Sequence, residues 1–195
     1  MGKVLYIAVL FLLTAFDLKD SLANNKLVYI TAESRLKISG TTNINTFTCD
    51  FNTAGMMAPI PVQYEKIGSK YIFHKADLIL DNQGFDCGSR GINRDFHALL
   101  KTDQHPNIRL KLREIEVGTT VSSDLKAIVD IEIAGCTNSY KIPIKFDRKE
   151  EMCILGELKL NLDDFKLKAP KKVLGLISVH ETITINFDLA IREGL

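Results

Sequence analysis

The sequence predicts an all-β protein whose antiparallel strands close into a β-barrel, with a short helical insertion. Apolar and polar residues alternate through the second half of the chain, so each strand has one dry face and one wet face. The wet faces carry lysine, glutamate, aspartate and threonine, and the turns between strands are short, as an up-and-down order requires. Two stacked sheets share this periodicity and are the alternative, and periodicity does not tell a hollow barrel from a filled one.

Residues 1–23 have the three parts of a signal peptide. Lys3 gives a positive start, residues 4–16 are apolar, and small residues end at Ala23. The apolar run is shorter than the ~20 residues that span a bilayer, although an uncleaved anchor is the alternative. No cysteine follows the run before Cys49, so no lipoprotein anchor is indicated. We expect cleavage after Ala23 and a periplasmic or secreted product.

The remaining residues, 24–195, are predicted to form one domain. No linker, low-complexity tract or internal repeat divides them. The 25 basic and 24 acidic residues are interspersed, so no surface of one sign is indicated. Nucleic acid is therefore excluded as an expected partner.

Strand patterns follow one another along this domain. The early patterns are weaker and cover residues 27–38, 47–51 and 71–80. The later strands alternate strictly, and their apolar positions are Ile108, Leu110 and Leu112; Ala127, Val129, Ile131 and Ile133; Tyr140, Ile142, Ile144 and Phe146; and Ile183, Ile185, Phe187, Leu189 and Ile191. Between Leu112 and Ile115 the phase slips by one residue, which predicts a β-bulge.

A short helix interrupts the strands within residues 85–112. Asn93 is the predicted N-cap, and the His105-Pro106 step is predicted to end the helix because a residue before proline avoids helical space. The apolar face of the helix consists of Phe96, Leu99 and Leu100. Such a helix laid across one end of the barrel would act as a lid or plug. A plain connector that caps the core is the alternative.

Export makes a disulfide available, and Cys49 with Cys87 is the predicted pair. Cys49 shares the apolar phase of its strand, and Cys87 lies beside Phe85 at the helical insertion. This link would contribute ~4 kcal/mol on a chain-entropy estimate.

Cys136 and Cys153 are expected not to bridge each other. The predicted hairpin pairs residues 140–146 with 154–160 through a turn at 147–150. In that register the two cysteines are ~25 Å apart along the strand, well beyond the ~7 Å limit for a disulfide.

No catalytic constellation is found, and we predict a protein that is not an enzyme and needs no cofactor. The histidines have no zinc-ligand spacing, and G-x-S-x-G and phosphate-binding glycine loops are absent. Asp163 and Asp164 are adjacent on an extended stretch, so their carboxylates point to opposite faces. A metal site assembled in space from His74, His97 and Cys87 is the alternative to no metal site.

Four stretches resemble the YceI-like family. They are SRLKISGTTNINTFTCDF at 34–51, FDCGSRGINRDFHALLKTDQHPNIRLKL at 85–112, GELKLNLDDFKL at 156–167 and ITINFDLAI at 183–191. The most specific element is residues 93–112, which is similar to the family's helix-to-strand segment. The resemblance implies an exported, lipocalin-like antiparallel barrel that encloses a long apolar molecule, typically a polyisoprenoid.

Candidate ligand-binding residues follow from this picture of a barrel with an apolar interior. The interior candidates are Phe47, Phe51, Phe96, Leu99, Leu110, Val129, Ile131, Ile142, Ile144, Leu158, Leu160 and Phe187. Polar candidates at the mouth are Arg94, Asp95 and His97, with Asn45 and Lys168 as weaker choices. Arg94 and Asp95 are alternatively a solvated first turn, and His97 an ordinary half-exposed helix residue.

Two functions are compatible with the sequence. The first is an exported protein that sequesters or carries a polyisoprenoid or another long-chain lipid. The alternative is an exported stress or interaction protein whose solid barrel binds another protein through its loops. Residues 163–181 favour the first, because an apolar cluster there is flanked by lysines and would allow transient contact with an anionic membrane at the barrel mouth. The cluster is Val173, Leu174, Leu176 and Ile177, and it is alternatively a plug under the barrel.

Overall fold

The computed structural model describes residues 24–118, 125–148, 152–172 and 177–194. The predicted signal peptide lies outside these residues. The described strands are β1 (Asn24–Ile30), β2 (Arg35–Thr42), β3 (Thr46–Phe51), β4 (Ile60–Ile67), β5 (Lys70–Lys75), β6 (Asp77–Asp81), β7 (Phe85–Asp86), β8 (Asn107–Val117), β9 (Leu125–Ile133), β10 (Cys136–Arg148), β11 (Met152–Asn161), β12 (Lys171–Lys172) and β13 (Ile177–Glu193). The described part also contains one α-helix, α1 (Arg90–Leu99), and three 3-10 turns, η1 (Thr53–Met56), η2 (Asn82–Gly84) and η3 (Leu162–Phe165).

The strands form a closed antiparallel barrel. Around the ring the order is β1-β4-β5-β8-β9-β10-β11-β13, and β13 pairs back with β1. Closure is made where Ile30 stands opposite Ile191 and Val28 opposite Glu193. The all-β barrel predicted from alternation is therefore confirmed, and closure leaves the ring without an edge strand.

The two ends of the barrel differ. At one end, here called the hairpin end, lie the start of β1, the end of β13 and the connections β4–β5, β8–β9 and β10–β11. At the other, here called the helix end, lie the tight β9–β10 turn at Ala134 and Gly135 and the helix that precedes β8. The strands β2, β3 and β7 extend the sheet at this helix end, because β2 pairs with the earlier part of the long strand β13.

The predicted β-bulge is present in β8. Leu112 stands opposite Val129 and Glu114 opposite Ile128, so Arg113 is the extra residue. On its other edge β8 changes partner here, from β6 to β5. The bulge bends the strand at this change of partner.

The helix begins earlier than predicted, and Asn93 is not its cap. Ser89 is the N-cap, and its Oγ accepts the Ile92 N–H at 3.3 Å. The Asn93 side chain instead accepts the Cys87 N–H at 2.6 Å and donates to Asp86 at 3.0 Å. Ser and Asn are both good caps, and the contact with Cys87 takes the Asn93 side chain away from the helix start.

The predicted helix end at Pro106 is also wrong. The helix ends at Leu99, Leu100 is its C-cap, and Lys101 has a φ of 52°. The chain then turns through residues 101–104 before Asn107 opens β8. A left-handed residue had already stopped the helix, so proline was not needed to do so.

The β10–β11 hairpin is longer than predicted. Cys153 stands opposite Asp147, and Arg148 opposite Met152, so the predicted turn at 147–150 is wrong. Residues 149–151 lie outside the described residues. The shift takes Cys153 still farther along the strands from Cys136, and the two are not bridged.

Below this hairpin, towards the helix end, η3 packs against β10. Tyr140 donates its hydroxyl to Asp164 at 2.8 Å, and the Asn138 side chain donates to the Asp164 carbonyl at 2.6 Å. Burial, followed by this contact with Asp164, raises the pKa of Tyr140. The ring of Phe165 is fully buried and stacks on Tyr140, with centroids 6.2 Å apart.

The helix end is filled by a solid apolar plug. Cys49 and Cys87 form the predicted disulfide there, and the ring of Phe85 lies between Phe51 and Phe96, with centroids 4.8 and 5.2 Å away. The plug is defined by its buried residues Cys49, Phe51, Phe85, Cys87, Leu100, Ile108, Ile133, Leu160, Leu162, Phe165 and Leu167. The disulfide prediction and the plug interpretation of the helical insertion are both consistent with this arrangement.

Candidate ligand-binding cavity

A cavity of about 570 Å³ occupies the barrel above the plug. Its wall is built by every second residue of each strand: β9, for example, contributes Leu125, Ala127, Val129 and Ile131. On β8 the lining positions change phase across the bulge, from Leu112 to Ile115. Almost all of the lining side chains are aliphatic or aromatic.

The cavity opens at the hairpin end. Among its lining residues, Val117 is 37% exposed and Phe146 is 38% exposed, and both belong to strand ends there. At the opposite end Met56 and Ile131 are each 2% exposed and Leu80 is 3% exposed. Within the described part of the chain, the barrel is therefore open to solvent at one end and closed at the other.

The level of the cavity floor can be seen on β8, β9 and β11. Leu110, Ile131 and Leu158 line the cavity, whereas the next inward residue towards the helix end on each strand is in the plug. These plug residues are Ile108, Ile133 and Leu160. The floor is thus the upper surface of a packed layer.

Charge is placed at the mouth. Lys26, at the start of β1, forms an ion pair with Glu193 of β13 at 2.7 Å, with both side chains partly exposed. The hydrogen bond that Lys26 donates to the Glu193 carboxylate is the main cause that raises the pKa of Lys26. The other polar side chains of the lining are Tyr64, Tyr71 and Asp77. A ligand would meet the ion pair at the entrance and apolar wall below it.

Gly156 shapes the wall beside β13. A Cβ at this position would lie 2.2 Å from Cζ of Phe187, the residue directly opposite on β13. Without a side chain at Gly156, the Phe187 ring lies against the strand instead of projecting into the cavity.

Seven of the twelve predicted interior residues line the cavity. They are Leu110, Val129, Ile131, Ile142, Ile144, Leu158 and Phe187. The others predicted for the interior, which do not line it, are Phe47, Phe51, Phe96, Leu99 and Leu160. These five are apolar and inward-facing, but they pack in or against the core at the helix end, and Phe47 packs over Gly40. Their position below the floor is the reason that the cavity does not reach them.

The position at the mouth predicted for Arg94 and His97 is wrong. Both lie on α1, which precedes the helix end of β8, and they border a separate polar hollow of about 720 Å³. Asn45, in the β2–β3 turn, and Lys168, after η3, also belong to the helix end. Chain order does not reveal which end of a barrel is open.

The apolar-basic segment is attached at the helix end as well. Residues 173–176, which hold Val173, Leu174 and Leu176, lie outside the described residues. On either side of them, Lys171 pairs with Ser178 and Lys172 with Ile177, beyond the part of β13 that pairs with β2. The described residues on either side of the apolar cluster are therefore not at the mouth.

Sequence reasoning missed a large part of the wall. Residues 60–67 were not assigned as a strand, yet β4 contributes Ile60, Val62 and Tyr64 to the lining. The alternation in IPVQY was the available signal, weakened by proline and by the shortness of the run. Val28 and Ile30 of β1 were also missed as lining residues.

Within the described ranges, no group of three His, Cys, Asp or Glu side chains is placed to hold a metal ion. No helix in the described part of the chain has the length and apolarity to cross a membrane.

Comparison with known proteins identifies relatives of this barrel. The model of the YceI-like domain matches residues 73–191. The structure is similar to BcnA of Burkholderia cenocepacia, with a TM-score of 0.61 and 13% identity over 84% of this chain and 99% of that chain. It is similar to the same degree to a polyisoprenoid binding domain from Saccharophagus degradans implicated in plant cell wall breakdown, with a TM-score of 0.61 and 14% identity over 88% of this chain and 99% of that chain. Comparison with curated proteins gives no significant match.

Proposed function

The chain belongs to the YceI-like family, and we propose that it is an exported protein that binds a long apolar chain, a polyisoprenoid or a similar lipid, inside its barrel. The observation that carries this proposal is the cavity of about 570 Å³, apolar along its wall and open at one end. The similar domain from Saccharophagus degradans is described as polyisoprenoid-binding, which supports the same ligand class here.

The chemistry of the wall favours a ligand held by apolar contact. Burying a chain carbon contributes ~0.8 kcal/mol, whereas association and ordering cost ~4 to 15 kcal/mol. One or two isoprene units of five carbons would gain too little to overcome this cost. A chain of several units would bind without hydrogen bonds along its length.

The ion pair at the mouth favours one orientation of the ligand. The carboxylate of Glu193 and the ammonium of Lys26 are solvated at the entrance, and a polar head group has partners there. The floor offers only apolar side chains, such as Met56 and Ile131. A polar group at the floor would lose its hydration without replacement, so the chain enters tail first.

Two observations support export. The pattern of residues 1–23 is that of a signal peptide, and the Cys49–Cys87 disulfide suits an oxidising compartment. We place the protein in the periplasm or outside the cell. Lipid exchange there involves transient contact with a membrane surface.

The test is to identify what the protein carries. The exported protein is purified without denaturant and extracted with organic solvent, and the extract is analysed by mass spectrometry against a matched exported protein. We expect a long-chain isoprenoid or acyl lipid in near-stoichiometric amount. Folded protein with no lipid above the control would contradict the proposal and favour a barrel that acts through its loops.

A pair of variants on β9 makes the test specific to the cavity. Ala127 lines the cavity and its neighbour Lys126 is on the outer face, so Ala127→Trp fills the interior and Lys126→Trp adds the same ring outside. Ala127→Trp should lose the lipid and Lys126→Trp should keep it. Equal lipid content in the two folded variants would show that the lipid binds elsewhere.

A further inference from the structure

We propose that the floor of the cavity limits the bound chain to about twenty carbons, four isoprene units, at roughly 30 Å³ for each carbon-sized group in a cavity of about 570 Å³. This inference rests on the proposed function and adds a chain-length limit to it. The limit is set by residues at the closed end.

The floor is too firmly packed to move away from a longer chain. Leu160 is 1% exposed and Phe165 is fully buried, directly behind the floor residue Leu158 and the wall of β10. The disulfide between Cys49 and Cys87 ties β3 to the start of the helical insertion within the same plug. A closely packed layer of this kind does not open a tunnel at low cost.

Because the floor is closed, the carbons of a longer chain must remain at the mouth. A carbon that leaves a bilayer and enters the barrel stays in an apolar environment, so occupancy from vesicles should change little with length up to the limit. A carbon left in water lowers occupancy by up to about fourfold. Five such carbons lower it by up to roughly a thousandfold.

The experiment supplies the full-length mature protein with vesicles that contain one prenol each: farnesol, geranylgeraniol, hexaprenol or octaprenol, which have three, four, six and eight isoprene units. Protein is separated from vesicles, and bound prenol is measured by native mass spectrometry. Farnesol and geranylgeraniol should bind to similar extents, and hexaprenol and octaprenol at least about a hundredfold less. Octaprenol bound as well as geranylgeraniol would overturn the length limit while leaving the proposed function intact.

Two adjacent residues on β9 allow the limit to be moved. Val129 lines the middle of the cavity, whereas Ile128 faces outward, opposite Lys141 and Glu114. Val129→Phe adds about four carbons to the interior and should remove geranylgeraniol binding while farnesol still binds. Ile128→Phe makes a matched change outside and should leave the limit at four units.

Circular dichroism establishes whether each variant is folded. If Val129→Phe is not folded, the binding of the four prenols to the wild-type protein tests the length limit by itself. An unchanged limit in folded Val129→Phe would overturn the inference, because the cavity wall would not be what sets the length. No binding of any prenol by the wild-type protein would overturn the proposed function and the length limit together.

Discussion

Leu158 and Leu160 offer a direct test of whether the barrel is hollow. They are two residues apart on the same face of β11, and they are 8% and 1% exposed. Leu158 lines the cavity, whereas Leu160 is in the plug beneath it. Replacing each with alanine removes the same atoms from two inward positions that differ in what lies beside them.

The expected losses of stability can be worked out from this difference. Removing three carbons costs ~2.4 kcal/mol in transfer free energy at either position. At Leu160 the change also leaves a new void of ~90 Å³, at ~30 Å³ for each group, which adds ~2.2 kcal/mol at ~24 cal/mol per Å³. We therefore expect Leu160→Ala to lower the free energy of unfolding by ~4.6 kcal/mol and Leu158→Ala by only ~2.4 kcal/mol.

The assay is urea unfolding of protein stripped of lipid, followed by circular dichroism because the chain has no tryptophan. Lipid must be removed, since a ligand at a hundred times its Kd would add ~2.7 kcal/mol to the stability of a protein that binds it. Equal losses of ~4 to 5 kcal/mol at both positions would show that Leu158 packs against solid core. The hollow barrel, and with it the proposed function, would then be wrong.

Three further predictions concern the plug and the wall. Replacing Cys49 and Cys87 with serine should lower the free energy of unfolding by ~4 kcal/mol, because the bridge closes a loop of 38 residues; a loss below ~1 kcal/mol in chemical denaturation would contradict this. Gly156→Ala should push the Phe187 ring into the cavity, which should reduce prenol binding with only a small fall in the melting temperature. Unchanged binding would contradict this prediction. The raised pKa of Tyr140 means that the fold favours its neutral hydroxyl, so stability should be full below pH ~10 and fall as pH rises above it, and Tyr140→Phe should flatten that fall in alkaline denaturation.

Strict alternation was sufficient to find the inward faces of the later strands. Leu110, Val129 and Ile144 were assigned to the interior from period two alone, and all three line the cavity. The β-bulge after Leu112 was found for the same reason, since one extra residue shifts the phase of a whole strand. In the short strand β4, which contains a proline, the alternation was too weak to be recognised as a strand.

The N-cap of the helix was predicted wrongly because two nearby residues can both serve as a cap. Ser89 and Asn93 are both residues that cap helices, and their spacing does not say which one does. The choice depends on the Cys87 N–H, which engages the Asn93 side chain. That contact is made by a segment held in place through the disulfide to Cys49, which is far away along the chain.

By itself, the sequence determined the long later strands, their buried faces, the disulfide pair and the position of the helical interruption, because these depend on neighbouring residues or on side-chain chemistry. Only the tertiary structure decided which inward residues face a void and which face one another. Leu158 and Leu160 have the same residue type, the same strand and the same phase, and they differ only in what the rest of the chain places opposite them. Alternation in the sequence predicts that a side chain is buried away from water. Whether the space around that side chain is filled depends on closure of the ring and on the packing of the helix, η3 and the disulfide at one end.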